Sequence, residues 1–383
     1  MVQEYKSVCI VGAGASGTIA AYFLQKAGIE TTLFDYGKPL RTILPTGGGR
    51  CNLAHAIYDF RELAKNYPRG EKFLYSIFSK FNTFDTINLF EEIGIKTYTQ
   101  ENNRIYPISN SSKDVQKAIL NKLKNVQIIN EQVIKIQNLS SGFKVTTNKS
   151  NYFYSDIIIA TGGARTSRKI QGIEHTITQL APSLVGLNAN IKELSGIVLK
   201  NVFSKDYQLC DDILFTHFGI SGPLVYTISS LKARESFPYI LTFDLIKDLN
   251  DLQLILNLNP HKDIKNILSM YLPKNFVTYL LKKLSISINL KGAEINSKLR
   301  NQITNELHNF QIEVFSANKG EETVTCGGID LKEINPKTLE SKKYPHLYFI
   351  GEVLDIDGFC GGFNLQNAWS TAFVAANSII QIA

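Results

Sequence analysis

Three glycines near the start of the chain have the spacing that a dinucleotide-binding turn requires. Gly12, Gly14 and Gly17 follow G-x-G-x-x-G spacing directly after the apolar run Val8–Val11. The first glycine permits a tight turn, the second lets the backbone approach a pyrophosphate, and the third allows close helix–strand packing. Asp35 closes the next apolar run and can accept hydrogen bonds from ribose hydroxyls. The stretch predicts a site for NAD or FAD, and the acid disfavours the 2′-phosphate of NADP.

Two later stretches favour FAD over NAD. A meander of short strands leads into the apolar run Asp156–Ile159 and a Thr-Gly-Gly turn, which suits the second half of an FAD-binding sheet. Near the carboxyl end, the run Leu347–Ile350 leads into a Gly-Glu pair, a glycine-rich loop and a final helix. In this arrangement the carboxylate of Glu352 accepts hydrogen bonds from ribityl hydroxyls, and the helix N-terminus faces the pyrimidine edge of the flavin.

The stretch Pro45–His55 reads PTGGGRCNLAH and has three interpretations. It is not a P-loop, because no Gly-Lys-Ser/Thr follows the glycines. A disulfide motif of the C-x4-C type would need a second cysteine at position 56, which is Ala56. We therefore interpret it as a loop that lays bare backbone and Arg50 against the flavin ring. A thiolate at Cys51 stays open as an alternative, because a neighbouring cation lowers the pKa of a thiol.

No side chain is assigned as the catalytic acid or base, and the candidates are Arg50, Cys51 and His217. Arg50 is expected either on a flavin oxygen or beside a carboxylate such as Asp355 or Asp357. His217, flanked by aromatic residues in FTHFGISGP, is either a structural histidine at a strand end or a base that faces the substrate. The same choice applies to His55, whereas Arg104 and Tyr106, in NRIYPISN, either face the substrate side or lie in a surface loop.

Composition excludes several classes of protein. The chain has 383 residues, of which 44% are hydrophobic and 20% charged, as in a globular protein of two or three domains. No run approaches the roughly 18–20 apolar residues of a membrane span. The first residues lack the basic stretch of a signal peptide. The five cysteines are scattered, without a CxxC pair or metal-ligand spacing, which favours a reducing cytoplasm and no bound metal.

The formal net charge of +7 is spread along the chain without a basic run. The densest groupings are only pairs of lysines, namely Lys122 with Lys124 and Lys282 with Lys283. We therefore expect a solvated surface, a small-molecule substrate, and neither a nucleic-acid nor a membrane partner. The sequence carries no indication of the oligomeric state.

The order of elements predicts an α/β protein with a discontinuous nucleotide-binding domain. We expect a Rossmann-type, glutathione-reductase-like FAD-binding domain from residues 1–185 and 326–383. A β-rich inserted subdomain is expected from residues 186–258 and 309–325, because short strands there are broken by glycine and proline turns. Residues 259–308 have helical periodicity and predict a small helical insertion within that subdomain.

Seven stretches, in order along the whole chain, resemble one family of flavoproteins. This family is the NAD(P)/FAD-dependent oxidoreductases that include aminoacetone oxidase and a bile-acid-intermediate reductase. The stretches are VGAGASGTIAA, PTGGGRCNLAH, NRIYPISNSSKDV, IIATGG, LFTHFGISGP, VTCGGIDLKEINPKTLESK and GEVLDIDGFCGGFNLQNAWSTA. The resemblance implies an FAD domain built from both ends of the chain, with a β-rich subdomain inserted in the middle.

The resemblance also places the cofactor-binding residues. Those on the ADP half and the adjoining turns are Gly12, Ala13, Gly14, Ala15, Ser16, Gly17, Asp35, Arg41, Val133, Ala160, Thr161, Gly162 and Gly163. Those near the flavin ring are Gly48, Gly49, Arg50, Cys51, Asn52, Gly351, Glu352, Asp357, Gly358, Gly362, Asn364, Leu365 and Gln366. The family often has a lysine and a serine near Arg41 and Thr46, and Arg41 keeps the positive charge.

We expect an FAD-dependent oxidoreductase in which a hydride moves between the flavin N5 and a small substrate or NAD(P)H. The electron sink is either oxygen or an activated C=C bond or other acceptor, and the sequence favours neither direction. Since no second G-x-G-x-x-G occurs, a nicotinamide would bind transiently over the flavin. The alternatives are an FAD protein that acts on tRNA or another nucleic acid and a non-catalytic flavin-bound interaction module.

Overall fold

The structure, a computed structural model, describes residues 6–163, 170–246, 252–318 and 324–382. The chain divides into two compact units, one formed by Met1–Ala181 with Val324–Ala383 and the other by Pro182–Thr323. The domain boundaries predicted from the sequence follow residues 185 and 325, whereas the observed units end at Ala181 and Thr323.

The described parts of the chain contain twelve α-helices and nineteen strands. The helices are α1 (Ala15–Lys26), α2 (Thr46–Gly49), α3 (Phe60–Ala64), α4 (Glu71–Phe78), α5 (Thr83–Ile93), α6 (Ser112–Lys122), α7 (Pro223–Leu231), α8 (Leu252–Leu258), α9 (Ile264–Leu268), α10 (Lys274–Lys283), α11 (Ser297–His308) and α12 (Phe363–Ile382). The strands are β1 (Ser7–Val11), β2 (Glu30–Asp35), β3 (Ala54–His55), β4 (Thr97–Thr99), β5 (Arg104–Pro107), β6 (Gln127–Asn130), β7 (Val133–Leu139), β8 (Gly142–Thr147), β9 (Asn151–Tyr154), β10 (Asp156–Ile159), β11 (Ala181–Ser183), β12 (Leu187–Ala189), β13 (Val198–Ser204), β14 (Leu209–Phe215), β15 (Gly219–Ser221), β16 (Tyr239–Asp244), β17 (Phe310–Ala317), β18 (Val324–Cys326) and β19 (Leu347–Phe349).

The first unit is built on a parallel sheet with the strand order β19-β10-β1-β2-β6. The apolar residues of β1 are buried, because helices cover a parallel sheet on both faces. In the register of the sheet, Val11 lies beside Phe34 on one side and Ile159 on the other. The carboxyl ends of β1, β2 and β10 therefore share one edge, which is where ligands bind to open α/β sheets.

The final helix joins several parts of the first unit. Phe373 of α12 packs edge-on against Phe23 of α1, with ring centroids 5.1 Å apart. The indole of the fully buried Trp369 donates a hydrogen bond to the carbonyl of Leu53, over 3.0 Å. α12 is thereby held to both the β1–α1 unit and the chain after the PTGGGRC stretch. Two small antiparallel sheets, β3-β5-β4 and β7-β8-β9, complete this unit.

The second unit contains a closed antiparallel barrel with the strand order β12-β15-β14-β13-β16-β17. Its core is continuous with that of the helices α8 to α11. Phe276 of α10, for example, lies 5.4 Å from Phe310 of the barrel, measured between ring centroids. The helical segment also begins at Leu252, before the predicted start at residue 259. Barrel and helices therefore form one compact unit, in which the helices cover one part of the barrel.

Among the described residues there is neither a membrane-spanning helix nor a metal-binding cluster. None of the helices described has both the length and the apolar character to cross a membrane. Within the same residues, no group of three or more histidine, cysteine and acidic side chains could hold a metal ion.

Candidate functional site

The β1–α1 turn contains three glycines that are needed for different reasons. A Cβ added to Gly12, whose φ is 110°, would lie 2.3 Å from the carbonyl oxygen of Ala160. A Cβ added to Gly17 would lie 1.9 Å from the carbonyl oxygen of Gly12. These two glycines are therefore required by the packing of the turn against α1 and the end of β10.

Neither backbone strain nor packing explains Gly14. It has φ −80° and ψ −164°, a conformation open to any residue, and the nearest atom to an added Cβ is Thr42 Oγ1 at 4.0 Å. It caps α1, which has neither a side-chain cap nor an acidic residue in its first turn. Bare backbone and free N–H groups at a helix N-terminus form a cradle for an anion. The turn therefore fits a dinucleotide pyrophosphate.

Asp35 links this turn to the end of β2. Its Oδ2 accepts a hydrogen bond from the backbone N–H of Ala13, and its Oδ1 accepts one from the backbone N–H of Gly37. The N···O distance is 2.8 Å in both. Because a carboxylate has about four acceptor sites, the side chain keeps capacity for ribose hydroxyls. Arg41 is exposed nearby, with its guanidinium 5.5 Å from the ring centroid of Tyr36.

The Gly351–Glu352 pair lies against the N-terminus of α1. A Cβ added to Gly351 would lie 2.6 Å from Ser16 Oγ. Glu352 Oε1 accepts a hydrogen bond from the N–H of Thr325 over 2.8 Å, and a Cβ added to Gly163 would lie 2.7 Å from the same oxygen. Burial raises the pKa of Glu352, and the charge of Asp357 adds to this shift. Thr325 is a neighbour that the sequence did not indicate.

The PTGGGRC stretch forms a tight backbone path. Gly47, Gly48 and Gly49 have φ values of 59°, 68° and 83°, in the left-handed region that favours glycine. The Arg50 guanidinium lies 4.1 Å from the ring centroid of Tyr106, and Arg50 Nε donates to the carbonyl of Gly47 over 3.2 Å. Asp357, one of the two carboxylates named as alternative partners of Arg50, forms an ion pair with Arg69. The cation–π contact with Tyr106 was not indicated by the sequence.

Cys51 is fully buried, and this contradicts the thiolate interpretation. Burial raises the pKa of the Cys51 thiol to about 12, although a hydrogen bond with Thr46 acts in the opposite direction. The adjacent Arg50 is not among the causes of the shift. The side chain therefore stays a neutral thiol near neutral pH, and the cysteines at 51 and 360 are both unbridged.

The loop before α12 is held by Asp357, which lies within it, and by Asn364 in the first turn of α12. The fully buried carboxylate of Asp357 forms a two-point ion pair with Arg69, through Nε and Nη2. The side chain of Asn364 bonds the backbone of Gly358 in both directions, over 2.9 and 2.8 Å. Gln366 accepts from Thr86 Oγ1 over 3.0 Å and donates to Ser370 Oγ over 2.9 Å.

These contacts change how the predicted residues of this loop can act. The polar atoms of Asp357, Asn364 and Gln366 bond to protein groups. These side chains therefore stabilise the conformation of the loop and of the first turn of α12. A Cβ added to Gly362 would lie 2.6 Å from the carbonyl oxygen of Ala54, which seats the loop on β3. The first turn of α12, which includes Leu365, stays available for a ligand. This turn contains no acidic residue. Arg69 and Tyr67, whose hydroxyl donates to the carbonyl of Phe363 over 2.6 Å, were not indicated by the sequence.

Three side chains able to carry charge or a proton meet beside this loop. His55 stacks on Phe363 with ring centroids 4.8 Å apart, and its Nδ1 lies 3.1 Å from the carbonyl oxygen of Gly361. Arg104 is opposite His55 in the β3–β5 pair, and its Nη2 lies 4.0 Å from the Sγ of Cys360. Burial lowers the pKa of His55, and the charge of Arg104 acts in the same direction.

His217 belongs to the second unit. It is exposed at the turn between β14 and β15, where its ring contacts Phe218 edge-on. Val133 begins β7 in the first unit and is buried.

Two buried polar atoms of the first unit support the presence of a ligand. Asn52 Oδ1, after the PTGGGRC stretch, and Thr161 Oγ1, after β10, have no hydrogen-bond partner among the described residues. A buried polar group without a partner is costly, and a bound group commonly supplies one. Both atoms lie on the two loops where the resemblance puts a cofactor. Together with the space above Gly14, they fit FAD.

Comparison with known proteins gives one family match and several relatives of full length. A family model described as "HI0933-like protein Rossmann domain" matches residues 6–378. The chain is 28% identical to the ribosomal RNA dihydrouridine synthase of Escherichia coli (strain K12) and 29% identical to that of Haemophilus influenzae (strain Rd). Each alignment covers 99% of both chains. It is also 25% identical to the 3-dehydro-bile acid delta(4,6)-reductase of Clostridium scindens, over 96% of this chain and 98% of the relative.

Solved structures of two steroid dehydrogenases are similar over nearly the whole chain. The 3-ketosteroid-delta4-(5alpha)-dehydrogenase from Rhodococcus jostii RHA1 has a TM-score of 0.51 at 10% identity, with 98% of each chain covered. The 3-ketosteroid delta1-dehydrogenase from Sterolibacterium denitrificans also has a TM-score of 0.51, at 13% identity, with 99% of this chain and 100% of that one covered. At these identities the likeness shows the fold alone.

Proposed function

Because the chain belongs to the HI0933-like Rossmann-domain family and is an FAD-dependent oxidoreductase, we propose that it reduces uridine in ribosomal RNA to dihydrouridine. The observation that carries the proposal is that two relatives of that name align over 99% of both chains. The name of the third relative also describes reduction of carbon–carbon double bonds. The proposal takes up the nucleic-acid alternative and replaces the expectation that the protein has no nucleic-acid partner.

The reaction adds a hydride and a proton across the C5=C6 bond of uracil. Because this bond is conjugated to the C4 carbonyl, C6 accepts the hydride and C5 then takes the proton. The reduced form of FAD would supply the hydride, and hydride transfer from a transiently bound NAD(P)H would regenerate that reduced form. The protein must hold cofactor and base face to face and must deliver the proton.

We assign the ADP half of FAD to the edge of the parallel sheet. The N–H groups at the start of α1 and the open backbone of Gly14 would hold the pyrophosphate. Asp35 would accept from the adenosine ribose, and Glu352 from the ribityl chain. Gly12, Gly17 and Gly351 act through packing, because each has a neighbouring atom within 3 Å of an added Cβ.

On the flavin side, Arg50 and the loop before α12 have the main roles. Arg50 is held on Tyr106 and would contact a flavin oxygen. The cluster of His55, Arg104 and Cys360 would face the base. Within it, the thiol of Cys360 can give up a proton and leave a thiolate that the Arg104 guanidinium stabilises. We therefore assign proton delivery to C5 to this cluster.

The proposal is tested by a two-step anaerobic experiment on the purified flavoprotein. Absorbance bands near ~370 and ~450 nm would report bound flavin. NADH or NADPH is first added until the bands bleach, and unmodified ribosomal RNA transcript follows. We expect the bands to return and dihydrouridine to appear in a nucleoside digest analysed by mass spectrometry. The Gly14→Val variant, which we expect to lack the cofactor, serves as the control.

A second candidate function is reduction of a small α,β-unsaturated ketone, which the bile-acid reductase relative favours. The same reduced protein distinguishes the two when a 3-keto-4-ene steroid replaces RNA. Reoxidation by the steroid, with no reoxidation and no dihydrouridine after addition of RNA, would refute the RNA proposal.

A further inference from the structure

The positive charge of the second unit is concentrated in its helices. Residues 252–308, which we call the helical segment, contain eight Lys and Arg against three Asp and Glu, a net charge of +5. The rest of the second unit, residues 182–251 and 309–323, contains seven Lys and Arg against eleven Asp and Glu, a net charge of −4. The barrel sequence is therefore acidic and the helical segment basic, although the whole chain has no basic run.

Most of these cations are not used to hold the fold. Lys291 pairs with Asp263 over 2.6 Å, Lys283 pairs with Glu306, and Arg300 bonds Gln253. The other five have no ion-pair partner among the described residues. Four of them are exposed and one is partly buried, and they are Lys262, Lys265, Lys274, Lys282 and Lys298.

The helices α10 and α11 direct polar groups away from the core. α10 buries Phe276, Val277, Leu280 and Leu281, so Asn275 and Lys282 lie on its opposite face. α11 buries Ile303 and Leu307, so its outer face carries the exposed residues Lys298, Asn301, Gln302 and Asn305. The ion pair of Lys283 with Glu306 joins the two helices beside these faces.

An exposed aromatic ring precedes α10 in the chain. Tyr271, in the turn between α9 and α10, is 45% exposed, and Met270 beside it is 56% exposed. Lysines that contact phosphates, together with an exposed ring on which a base can stack, are the elements of single-stranded RNA binding. Side-chain amides add hydrogen bonds to phosphate, sugar and base edges.

We propose that the helical segment is the surface that binds the RNA substrate. The lysines would neutralise its phosphates, and Tyr271 would stack on an unpaired base. The inference rests on the proposed function and adds to it the part of the chain that holds the RNA. An anionic membrane would also attract the lysines. Side-chain amides form hydrogen bonds with the phosphates, sugars and base edges of RNA, so RNA is the partner that the outer faces of α10 and α11 favour.

The test compares two variants with the same change of charge. In the first, Lys274, Lys282 and Lys298 are replaced by alanine. The second replaces Lys113, Lys117 and Lys149, three exposed lysines of the lysine-rich stretch 113–149 in the first unit. Binding of a fluorescein-labelled oligouridylate to the flavin-loaded proteins is followed by anisotropy over a series of salt concentrations. Flavin content and thermal midpoint show whether each variant is folded.

We expect the first variant to lose affinity by at least about tenfold at low salt and to show a salt slope reduced by about 2, because each phosphate contact on a single strand contributes about 0.7. The control should bind like the parent protein. Tyr271→Ala should weaken binding by about tenfold without changing the salt slope, because stacking releases no counterions.

The surface is wrong if the first variant binds like the parent protein, or if the control loses as much affinity. It is also wrong if the parent protein binds phosphatidylserine vesicles but not the oligouridylate. If the parent protein makes no dihydrouridine but binds RNA through the helical segment, the proposed function fails and the surface stands. If the parent protein makes dihydrouridine and the first variant makes it equally well at limiting RNA, the surface fails alone.

Discussion

Two glycine-rich loops of the first unit lead into its two long packed helices, and they work in opposite ways. The β1–α1 turn presents open backbone, with 4.0 Å between an added Cβ at Gly14 and the nearest atom. The loop before α12 is held by contacts with other protein groups. These are the ion pair of Asp357 with Arg69, the hydrogen bonds of Asn364 to Gly358 and the close approach of Gly362 to Ala54. A glycine motif therefore does not by itself indicate that its backbone meets a ligand.

The difference predicts which property each substitution removes. At Gly14 of the β1–α1 turn no protein atom lies closer than 4.0 Å to an added Cβ, so a larger residue there should cost cofactor more than stability. At the loop before α12 the side chains stabilise one another, so their loss should weaken the protein first and the cofactor through it.

The largest effect is expected at Gly14. In Gly14→Val the added side chain occupies the pyrophosphate space, so the protein should purify without flavin. Because φ and packing tolerate a side chain there, the urea midpoint should differ from that of the parent apoprotein only by the small cost of replacing a glycine N-cap with valine. The ratio of absorbance near ~450 nm to protein measures occupancy. Gly14→Ala, which adds one methyl group, should keep a part of it. Full occupancy in the valine variant would contradict the placement of the phosphates.

The next largest effect is expected at the buried ion pair. Asp357→Ala leaves Arg69 without its charge partner, and loss of one member of a buried pair costs about 3–5 kcal/mol. Urea unfolding of the apoprotein measures this change. Glu62→Ala removes an exposed pair with Lys65 and serves as the control, since surface pairs contribute little. Equal midpoints for the two variants would show that Asp357 does not hold the loop.

A smaller effect is expected at Asn364. Asn364→Ala removes both hydrogen bonds to the backbone of Gly358, which should cost about 1–3 kcal/mol of stability. FAD affinity should fall with it, because the first turn of α12 loses its fixed position. Equilibrium dialysis of FAD against parent and variant measures this. If affinity is lost while stability is unchanged, Asn364 contacts the cofactor directly and the contrast between the two loops is weakened.

The sequence predicts the Rossmann-type FAD fold, and the family match and the similar structures confirm it. Local spacing suffices there, because β1, the glycines, α1 and Asp35 follow one another within a single unit. The contacts of the second loop join residues far apart in the chain, such as Arg69 with Asp357 and Thr325 with Glu352. No local pattern encodes such pairs, so the sequence indicates Asp357 and Glu352 without their protein partners Arg69 and Thr325.

Burial has the same limit. Beside Arg50, Cys51 has the sequence environment of a reactive thiol, and its burial reverses that interpretation. The sequence cannot show this, because burial arises only when distant parts of the chain pack together, and Cys51 lies in the hydrophobic core of the first unit.

Because Cys51 is buried, Cys51→Ala is expected to have the smallest effect on activity. It should change the pH dependence of stability at high pH. Cys51→Ala should keep full activity at neutral pH, and iodoacetamide should label the exposed Cys210 of the native parent protein but not Cys51. The folded thiol has its pKa raised to about 12, against about 8.5 in the unfolded chain. Below the unfolded value both states hold the proton, and this group adds no pH dependence.

Above about pH 9 the unfolded chain releases a proton that the native protein retains, so stability falls as pH rises towards 12. The slope from one such group is about 1.4 kcal/mol per pH unit. The parent protein should lose stability faster than Cys51→Ala over this range, and the difference between them isolates Cys51 from the also buried Cys9. Parallel curves would mean that Cys51 ionises in the native protein. The loop at Pro45–His55 would then carry a reactive thiol, as its sequence alone allows.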